Sequence, residues 1–231
     1  KRNNFPNVLN DINLYYIIYF VEIMNQKNSL GLNYCFMDLE NPIELFSHWF
    51  NKAKKVEIND PNALALATAE KKGIPSVRMV LLKDFSKNGF VFYTNLKSKK
   101  SGDIKLNPNA SMCFYWKSLK RQIRITGKIF KVSNKEADIY YNTRSYLSKI
   151  GAWASKQSTV LKSREELFGA IVSYKKKYSK KNNVPRPNTW SGWNLKPNEI
   201  EFWLDGKNRI HERLKYVKSK NGKWKRFLLS P

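Results

Sequence analysis

The sequence predicts a mainly β protein with a few inserted helices, arranged as an antiparallel barrel. Roughly seven short apolar or β-branched segments are separated mostly by tight turns. The dipeptides Asn88-Gly89, Asp205-Gly206 and Asn221-Gly222 mark hairpins between such segments. The chain also lacks βαβ alternation, an internal repeat and a glycine-rich dinucleotide loop. Short antiparallel strands at this spacing are typical of a barrel.

The composition narrows the possible partners to anions. Of the 231 residues, 42% are hydrophobic and 14% aromatic, so the chain can bury a core. The formal net charge of +25 would suit nucleic acid, an acidic membrane surface or a phosphorylated small molecule. Because the lysines are spread along the whole chain, charge alone does not decide among these three partners.

The cysteine count and the apolar runs bear on the compartment. Cys35 and Cys113 predict neither a disulfide framework nor a CxxC metal site, and we expect no metal. A reducing compartment follows, and we expect a cytoplasmic location, with organelle targeting left open because the sequence starts at Lys1. The longest apolar run, residues 12–23, is too short to span a membrane.

The chain is predicted to form an N-terminal arm, residues 1–40, with one short helix, followed by a single domain, residues 41–231. Asn41-Pro42-Ile43-Glu44 predicts a helix start, and Ser133 and Ser163 begin two capping boxes, for helices to about Arg144 and Tyr178. A further helix begins near Ser98. The predicted strands are residues 63–68, 76–82, 90–94, 110–115, 122–130, 200–204, 209–216 and 224–229.

The first candidate binding cluster lies in residues 78–100. A helix begins near Ser98, and the free N–H groups of a helix N-terminus suit a phosphate, although a solvated lysine run is the alternative. Arg78 and Lys83 are five positions apart, so an uninterrupted strand would point them to opposite faces. Either a bulge intervenes or they serve different ligands. The cluster comprises Arg78, Lys83, Tyr93, Thr94, Ser98, Lys99 and Lys100.

The second cluster is Tyr140, Arg144 and Ser148. Tyr140 and Arg144 are four positions apart on a predicted helix, so their side chains would project side by side. With the Ser148 hydroxyl they could clamp a phosphate. The alternative is a surface cation stacked on a tyrosine ring.

The third cluster is Arg209, His211 and Arg213, which share one face of a predicted strand at period two. Three charged or chargeable groups side by side repel one another unless an anion lies across them. A chance basic strand face is the alternative.

Several catalytic motifs are absent from the sequence. It has no Cys/His cluster with zinc spacing, no GxSxG, no P-loop and no evident pair of carboxylates near the three clusters. We therefore expect a cofactor to supply the chemistry, while the protein supplies anion binding and orientation.

Several short motifs follow one another along the chain: Arg78 to Lys83, Phe92 to Asn95, Ser98 to Lys100, Arg121-Gln122, Ile150 to Trp153, Lys156 to Ser158, Glu201 to Trp203 and Arg209 to Arg213. Each motif is short, but their order, their spacing and the R-x-H-x-R end are specific in combination. Over residues 41–231 this order resembles that of the pyridoxamine 5′-phosphate oxidase family. The resemblance implies an FMN-binding split β-barrel, which is an antiparallel Greek-key barrel, working as a homodimer with both sites at the interface.

The resemblance also implies roles for single residues. Arg78, Lys100 and Ser158 would hold the FMN phosphate, with Ser98 and Lys99 beside them. The family often has an arginine at the position of Lys99, so the bidentate fork is lost there. The remaining implied contacts are Lys83, Tyr93, Thr94, Gln122, Gln157, Trp203 and Arg213 along the flavin; Lys83, Tyr140, Arg144 and Ser148 on the substrate phosphate; and the catalytic pair Arg209 and His211 over the pyridine ring.

The implied reaction is oxidation of pyridoxamine or pyridoxine 5′-phosphate to pyridoxal 5′-phosphate. A hydride would go to flavin N5, and O2 would accept the electrons and give H2O2. The implied partners are the substrate, O2 and a second copy of the chain, without nucleic acid or membrane. Two alternatives stay open: a flavin-binding split barrel with another substrate, and a nucleic-acid-binding β-barrel with a basic face.

Overall fold

The structure, a computed structural model, describes residues 28–180 and 183–231. In these residues nine strands form one antiparallel sheet: β1 (Ala63–Ala69), β2 (Pro75–Leu81), β3 (Asp84–Ser86), β4 (Gly89–Asn95), β5 (Asn109–Trp116), β6 (Arg121–Lys131), β7 (Trp190–Leu204), β8 (Glu212–Lys218) and β9 (Trp224–Leu228). The α-helices are α1 (Pro42–Val56), α2 (Lys99–Leu106), α3 (Asn134–Asn142), α4 (Tyr146–Ala154) and α5 (Arg164–Lys177). Short 3-10 helices cover Tyr34–Phe36, Lys117–Leu119 and Lys207–Arg209.

The long strand β7 holds the sheet together. The strand order is β2-β1-β5-β6-β7-β4-β3, and β8 pairs with both β7 and β9. One edge of β7 pairs with β6, and the other edge pairs first with β4 and then with β8. The register shifts between Thr126 and Gly127, opposite Pro197, which is a β-bulge that bends the strand. A Cβ on Gly127 would lie 2.1 Å from the Lys196 carbonyl oxygen, so the close approach requires glycine.

The barrel is split between β2 and β4. Among the described strands, β2 pairs only with β1, and β4 beyond Val91 pairs only with β7. The two free edges face each other, and the backbone N–H of Lys83 donates to the Val91 carbonyl at 2.8 Å at one end of the split. Unpaired strand edges expose backbone donors and acceptors that a ligand can use.

Helix α1 packs across the core. The Asn41 side chain accepts the Ile43 N–H at 3.0 Å and donates to Glu44 at 3.1 Å, as the sequence motif predicts. The buried ring of Phe46 has four phenylalanine rings around it, with centroids 4.8 to 5.6 Å away: Phe50, Phe85, Phe90 and Phe114. These contacts join the helix to β3, β4 and β5.

Residues 28–40 also pack against the sheet. Leu32 and Phe36 enter the core, and the Tyr216 hydroxyl donates to the Leu39 carbonyl at 2.8 Å. Asp38 pairs with Arg226 on β9. The helix predicted within residues 12–23 lies outside the described residues, and the boundary between residues 40 and 41 stays a prediction.

The predicted mainly β fold with inserted helices is confirmed, but several elements differ, and the short strand β3 was not predicted. Strand β7 begins at Trp190 rather than near residue 200, because the bulge at Pro197 lets one strand continue through a sequence that does not alternate. Helix α4 was not predicted. The predicted start of the strand at Arg209 is wrong, because β8 starts at Glu212. Asn208 and Arg209 have φ of 53° and 66°, and these left-handed values turn the chain before the strand begins.

Within the described residues, no helix has the length and apolar character needed to cross a bilayer. The same residues contain no group of three or more His, Cys, Asp or Glu side chains placed to hold a metal ion.

Phe46→Ala should lower the free energy of unfolding by about 3–5 kcal/mol, because it removes a fully buried ring and leaves a cavity between α1 and the sheet. Urea denaturation measures the loss. Phe168→Ala on α5 is the control, since its ring is 52% exposed, and its cost should stay below about 1 kcal/mol. Equal losses in both variants would contradict the central place given to Phe46.

Candidate functional site

The split between β2 and β4 opens into a groove of about 430 Å³. Strands β2 and β4, the start of α2 and the loop after α4 form its walls. It brings together most of the first predicted cluster and part of the Lys156 to Ser158 motif. The lining residues are Arg78, Met79, Val80, Leu81, Lys83, Tyr93, Thr94, Lys99, Lys100, Gln157 and Ser158.

The structure removes the parity difficulty between Arg78 and Lys83. Strand β2 ends at Leu81, and Lys83 lies in the connection to β3. The alternation of side chains along a strand therefore does not extend to Lys83. Both cations line the same groove.

Lys100 is the buried cation of this groove. Its side chain is on the first turn of α2, and the residue is 6% exposed. The ammonium donates to Thr94 Oγ1 at 3.0 Å and to Ser98 Oγ at 3.3 Å, and both partners are neutral hydroxyls. Burial, and then the charge of Arg78, lower the pKa of Lys100 to about 8. An anion in the groove would restore the charged form.

Arg78 lies beside Lys100 and is fixed by its neighbours. Its guanidinium donates to Thr68 Oγ1 at 2.6 Å and to the Leu66 carbonyl at 3.2 Å, and it also bonds Ser76. Asp103 lies 3.7 Å away. Partial burial lowers the pKa of Arg78, and Asp103 acts against that shift. The guanidinium is therefore oriented from strand β1 and helix α2 together.

Asp103 is a buried carboxylate that the sequence reasoning missed. It is 4% exposed, accepts from Thr68 Oγ1 at 2.8 Å and pairs with Lys99 at 3.3 Å. Lys99, a predicted cofactor ligand, therefore lies along the same side of the helix as Asp103 and pairs with it. The available signal was the spacing of Lys99 and Asp103, four positions apart on one helix.

The other groove residues support Lys100 or border the opening. Ser98 is the buried N-cap of α2, and its hydroxyl donates to the Asn95 carbonyl at 2.7 Å. Because this bond fixes the hydroxyl, Ser98 helps to orient the Lys100 ammonium that donates to it. Thr94 Oγ1 donates to Gln157 Oε1 at 3.2 Å. Gln157 and Ser158 are exposed, and Ser158 has a φ of 72°.

The second cluster adjoins the groove through Tyr93. The rings of Tyr93 and Tyr140 stack with centroids 4.1 Å apart. The predicted placement of Tyr140 and Arg144 on one helix is wrong, because α3 ends at Asn142. Chain reversal places Arg144 between α3 and α4, where the Ser145 hydroxyl caps α4 and donates to Ser148 Oγ at 2.9 Å.

Arg144 is held by aromatic rings. Its Cζ lies 4.7 Å from the Trp190 ring centre and 5.8 Å from that of Tyr141. Its Nη1 is buried and has no hydrogen-bond partner within the described part of the chain. Burial lowers the pKa of Arg144. A buried donor without a partner is costly, so this guanidinium is poised to take an anionic ligand.

The third cluster lies at the other end of β7. Trp203 pairs with Gln122 on β6 and with Arg213 on β8. The rings of Trp203 and His211 lie 4.6 Å apart. His211 Nδ1 is 3.2 Å from the backbone nitrogen of Gly206 and 3.2 Å from Asp205 Oδ1.

Arg213 and Arg209 differ in how they are held. Arg213 donates from Nε to Glu201 Oε1 at 3.0 Å and from Nη1 to the Ser230 carbonyl at 2.7 Å. Glu201 is buried and also pairs with Arg124, a contact across strands that sequence spacing does not reveal. Arg209 is exposed in the left-handed turn and does not share the strand face of Arg213.

One chain does not bring the third cluster to the groove. Tyr93 pairs with Gly192 and Arg213 pairs with Trp203. Along a straight strand these two positions on β7 would be roughly 36 Å apart at about 3.3 Å per residue, and the bulge at Pro197 shortens that path. The described residues that line the groove include none of the third cluster.

Two family models match the chain. The model described as pyridoxamine 5′-phosphate oxidase matches residues 50–203. The model described as the pyridoxine 5′-phosphate oxidase C-terminal dimerisation region matches residues 190–231. The second match covers β7 to β9 and therefore the third cluster.

Two relatives that match over nearly their whole length share one name, pyridoxine/pyridoxamine 5′-phosphate oxidase. A pyridoxine/pyridoxamine 5′-phosphate oxidase of Pelagibacter ubique is 67% identical over 90% of this chain and all of the relative. One of Allorhizobium ampelinum is 51% identical over 85% of this chain and 95% of the relative.

Solved structures share the fold. PhzG from Burkholderia lata, in complex with tetrahydrophenazine-1-carboxylic acid, superposes with a TM-score of 0.80 at 30% identity, over 87% of this chain and 97% of PhzG. A pyridoxamine 5′-phosphate oxidase-related, FMN-binding protein of Nostoc punctiforme superposes with a TM-score of 0.67 at 17% identity, over 84% of this chain and all of that one. The split between β2 and β4 agrees with the fold of these structures. The family models and the high identities show that the chain belongs to the pyridoxamine 5′-phosphate oxidase family.

Proposed function

We propose that this protein oxidises pyridoxamine 5′-phosphate or pyridoxine 5′-phosphate to pyridoxal 5′-phosphate, with FMN as cofactor and O2 as electron acceptor. The observation that carries the proposal is a pair of cationic sites joined by Tyr93. One contains Lys100 with neutral hydroxyl partners, and the other contains Arg144 with a buried, unpartnered Nη1. A reaction between two phosphate-bearing molecules needs two anion sites of this kind.

The residues of the groove fit FMN. Lys100 and Arg78 would hold its phosphate with Ser158, because the Lys100 ammonium is buried beside hydroxyls and Arg78 is oriented next to it by Thr68 and Asp103. Tyr93, Thr94, Gln157 and Lys83 would border the rest of the molecule. When bound, FMN supplies a two-electron acceptor that takes a hydride from the substrate and passes the electrons to O2, which is released as H2O2.

The substrate phosphate would bind on the other side of Tyr93. Arg144, Tyr140, Ser148 and Lys83 would hold it, and Arg209 and His211 would cover the pyridine ring. These contacts orient the carbon that bears the alcohol or the amine, which is the main contribution of positioning to such a reaction. The alcohol loses a hydride and a proton to become the aldehyde, and for the amine, water hydrolyses the imine to the aldehyde and ammonia.

Each complete site would draw on two chains. Tyr93 and Arg213 pair with opposite ends of β7, and residues 190–231 match a dimerisation region. Gln122, Trp203, His211, Arg209 and Arg213 of one subunit would therefore face the groove of the other in a homodimer. Arg213, held by Glu201 and Ser230, would bring positive charge to the cofactor and favour its uptake of electrons.

A second candidate function is oxidation of a substrate without phosphate. PhzG, at 30% identity, was solved with a tetrahydrophenazine carboxylic acid. The buried Nη1 of Arg144 favours the phosphorylated substrate for this chain, because a guanidinium held by two aromatic rings gains more from a phosphate dianion than from a single carboxylate.

The colour of the purified protein tests the proposed function. Protein reconstituted with FMN should be yellow, and adding pyridoxamine 5′-phosphate without oxygen should bleach it, because the substrate reduces the flavin. Absorbance of the flavin band measures the change, and air should restore it. A protein that cannot take up FMN, or that stays yellow with substrate, would overturn the proposal.

FMN affinity should weaken with rising pH between pH 7 and pH 9. The pKa of Lys100 in the free protein is about 8, so below pH 8 the ammonium is charged and binds phosphate. Above pH 8 it loses its proton, and the Kd for FMN should rise by up to about tenfold per pH unit. Fluorescence quenching of FMN measures the Kd. Lys100→Arg should bind FMN with a Kd that changes less than about twofold over the same range, and a wild-type Kd independent of pH would contradict the assigned role of Lys100.

Co-expression of two inactive variants should restore activity. Lys100→Met removes the groove cation, and Arg213→Ala removes the group at the other end of β7. A mixed dimer has one site with both defects and one with neither, so a random mixture should show about a quarter of wild-type activity. Turnover of pyridoxine 5′-phosphate measures it, and each variant expressed alone is the control. Activity no higher than that of the separate variants would argue against shared sites.

A further inference from the structure

Trp190 lies where the two anion sites meet, and the roles given above do not use it. It begins β7, is 6% exposed, and pairs in register with Asn95 on β4. Its ring is nearly parallel to those of Tyr93 and Tyr140, at 5.2 and 6.2 Å between centroids and 7° between planes. The edge of Tyr141 packs against it at 5.1 Å.

The backbone around Trp190 is fixed on both sides. Its N–H donates to the Pro187 carbonyl at 3.0 Å. Its carbonyl accepts from Arg186 Nη1 at 2.8 Å, and Arg186 Nε bonds Asp138 on α3 at 2.6 Å. Through Arg186, the backbone of Trp190 is therefore connected to α3, the helix that carries Tyr140.

Gly192 provides the space for the stack. It lies opposite Tyr93 in the strand register, and a Cβ there would lie 2.7 Å from Tyr93 Cε1. The Tyr93 ring can therefore lie flat across β7 towards Trp190, which is on the same face of the strand as Gly192. The stack connects a groove residue to the second cluster without an intervening polar group.

The indole holds Arg144 without neutralising it. A carboxylate partner would orient a guanidinium but would also compete with a phosphate for its charge and its donors. An aromatic face attracts the cation through its quadrupole. The N–H groups of the guanidinium point outward in the plane of that group and stay free to donate. Arg144 Cζ lies 4.7 Å from the ring of Trp190, and its Nη1 is buried without a partner in the described residues.

We infer that Trp190 is a positioning residue that holds Arg144 and Tyr140 in place for the phosphate of the substrate. The inference rests on the proposed function and extends it. The stack presents a preoriented cation with unused donors, so binding a phosphate does not first require ordering a long side chain. Trp190 would thereby set the affinity for the phosphorylated substrate while leaving the hold on FMN unchanged.

The main test is Trp190→Leu in the FMN-loaded protein. KM for pyridoxine 5′-phosphate should rise about tenfold, equivalent to about 1.4 kcal/mol, because Arg144 loses its platform. The kcat should change less than about threefold and the Kd for FMN less than about twofold, since the groove around Lys100 is intact. Trp190→Phe retains a ring and should raise KM only about threefold. An unchanged KM in Trp190→Leu would overturn the inference.

Trp224→Leu is the matched control. Trp224 is on β9, also has a lysine over its ring, with Lys218 Nζ 5.5 Å from the ring centre, and does not line the groove. Its KM for pyridoxine 5′-phosphate should stay within about twofold of wild type. A rise in KM as large as that of Trp190→Leu would show a general loss of structure rather than loss of positioning.

A double-mutant cycle with Arg144→Leu separates positioning from folding. Calorimetric titration with pyridoxal 5′-phosphate gives the Kd of each variant directly. If Trp190 acts through Arg144, Trp190→Phe should weaken binding about threefold in the wild-type background and change it less than about 1.5-fold in the Arg144→Leu background. Equal effects in the two backgrounds would overturn the inference, even if Trp190→Leu does not fold. If wild-type protein binds pyridoxal 5′-phosphate but does not turn over the substrate, the proposed reaction fails and the positioning role of Trp190 is still decided by this cycle.

Discussion

The bend in β7 is the constraint on which the arrangement of the site depends. A single strand of fifteen residues pairs with β6 along one edge and with β4 and then β8 along the other. It can do so because Gly127 allows the backbone of Lys196 to approach closely and Pro197 sits at the bulge, where a missing N–H costs no ladder bond. Strand β7 thus places the groove and the third cluster at its two ends.

The two anion sites share a physical strategy. Lys100 donates to two hydroxyls and Arg144 lies against aromatic rings, and among the described residues no carboxylate pairs with either cation. Each carries a cost of desolvation, visible as a lowered pKa. A phosphate removes that cost, so part of the affinity for ligand comes from charges that the fold keeps buried and unsatisfied. Arg78 and Lys99 differ, because Asp103 already fixes them.

The sequence predicted most strands and the starts of four α-helices to within a few residues, because hairpin dipeptides and helix N-caps are local signals. The prediction from sequence failed where contacts between distant parts of the chain decide the local structure. The left-handed φ values of Asn208 and Arg209 turn the chain between β7 and β8, so Arg209 leaves the strand face that the alternation of residues predicted. The ion pairs of Asp103 with Arg78 and of Glu201 with Arg124 and Arg213 were not predicted, because those partners come from other strands of the fold. Trp190 received no role from the sequence, yet its ring packs against those of Tyr93, Tyr140 and Tyr141.

By itself, the sequence determined the antiparallel β class, the capped helices and the three groups of cationic and aromatic residues, since each of these depends on spacing within a few positions of the chain. Only the tertiary structure decided which of the groups meet. It joined the first two through Tyr93 and kept the third at the far end of β7, because strand register fixes distances between residues that are more than a hundred positions apart. It also decided which cations are neutralised, because that depends on whether the fold places a carboxylate, a hydroxyl or an aromatic face beside them.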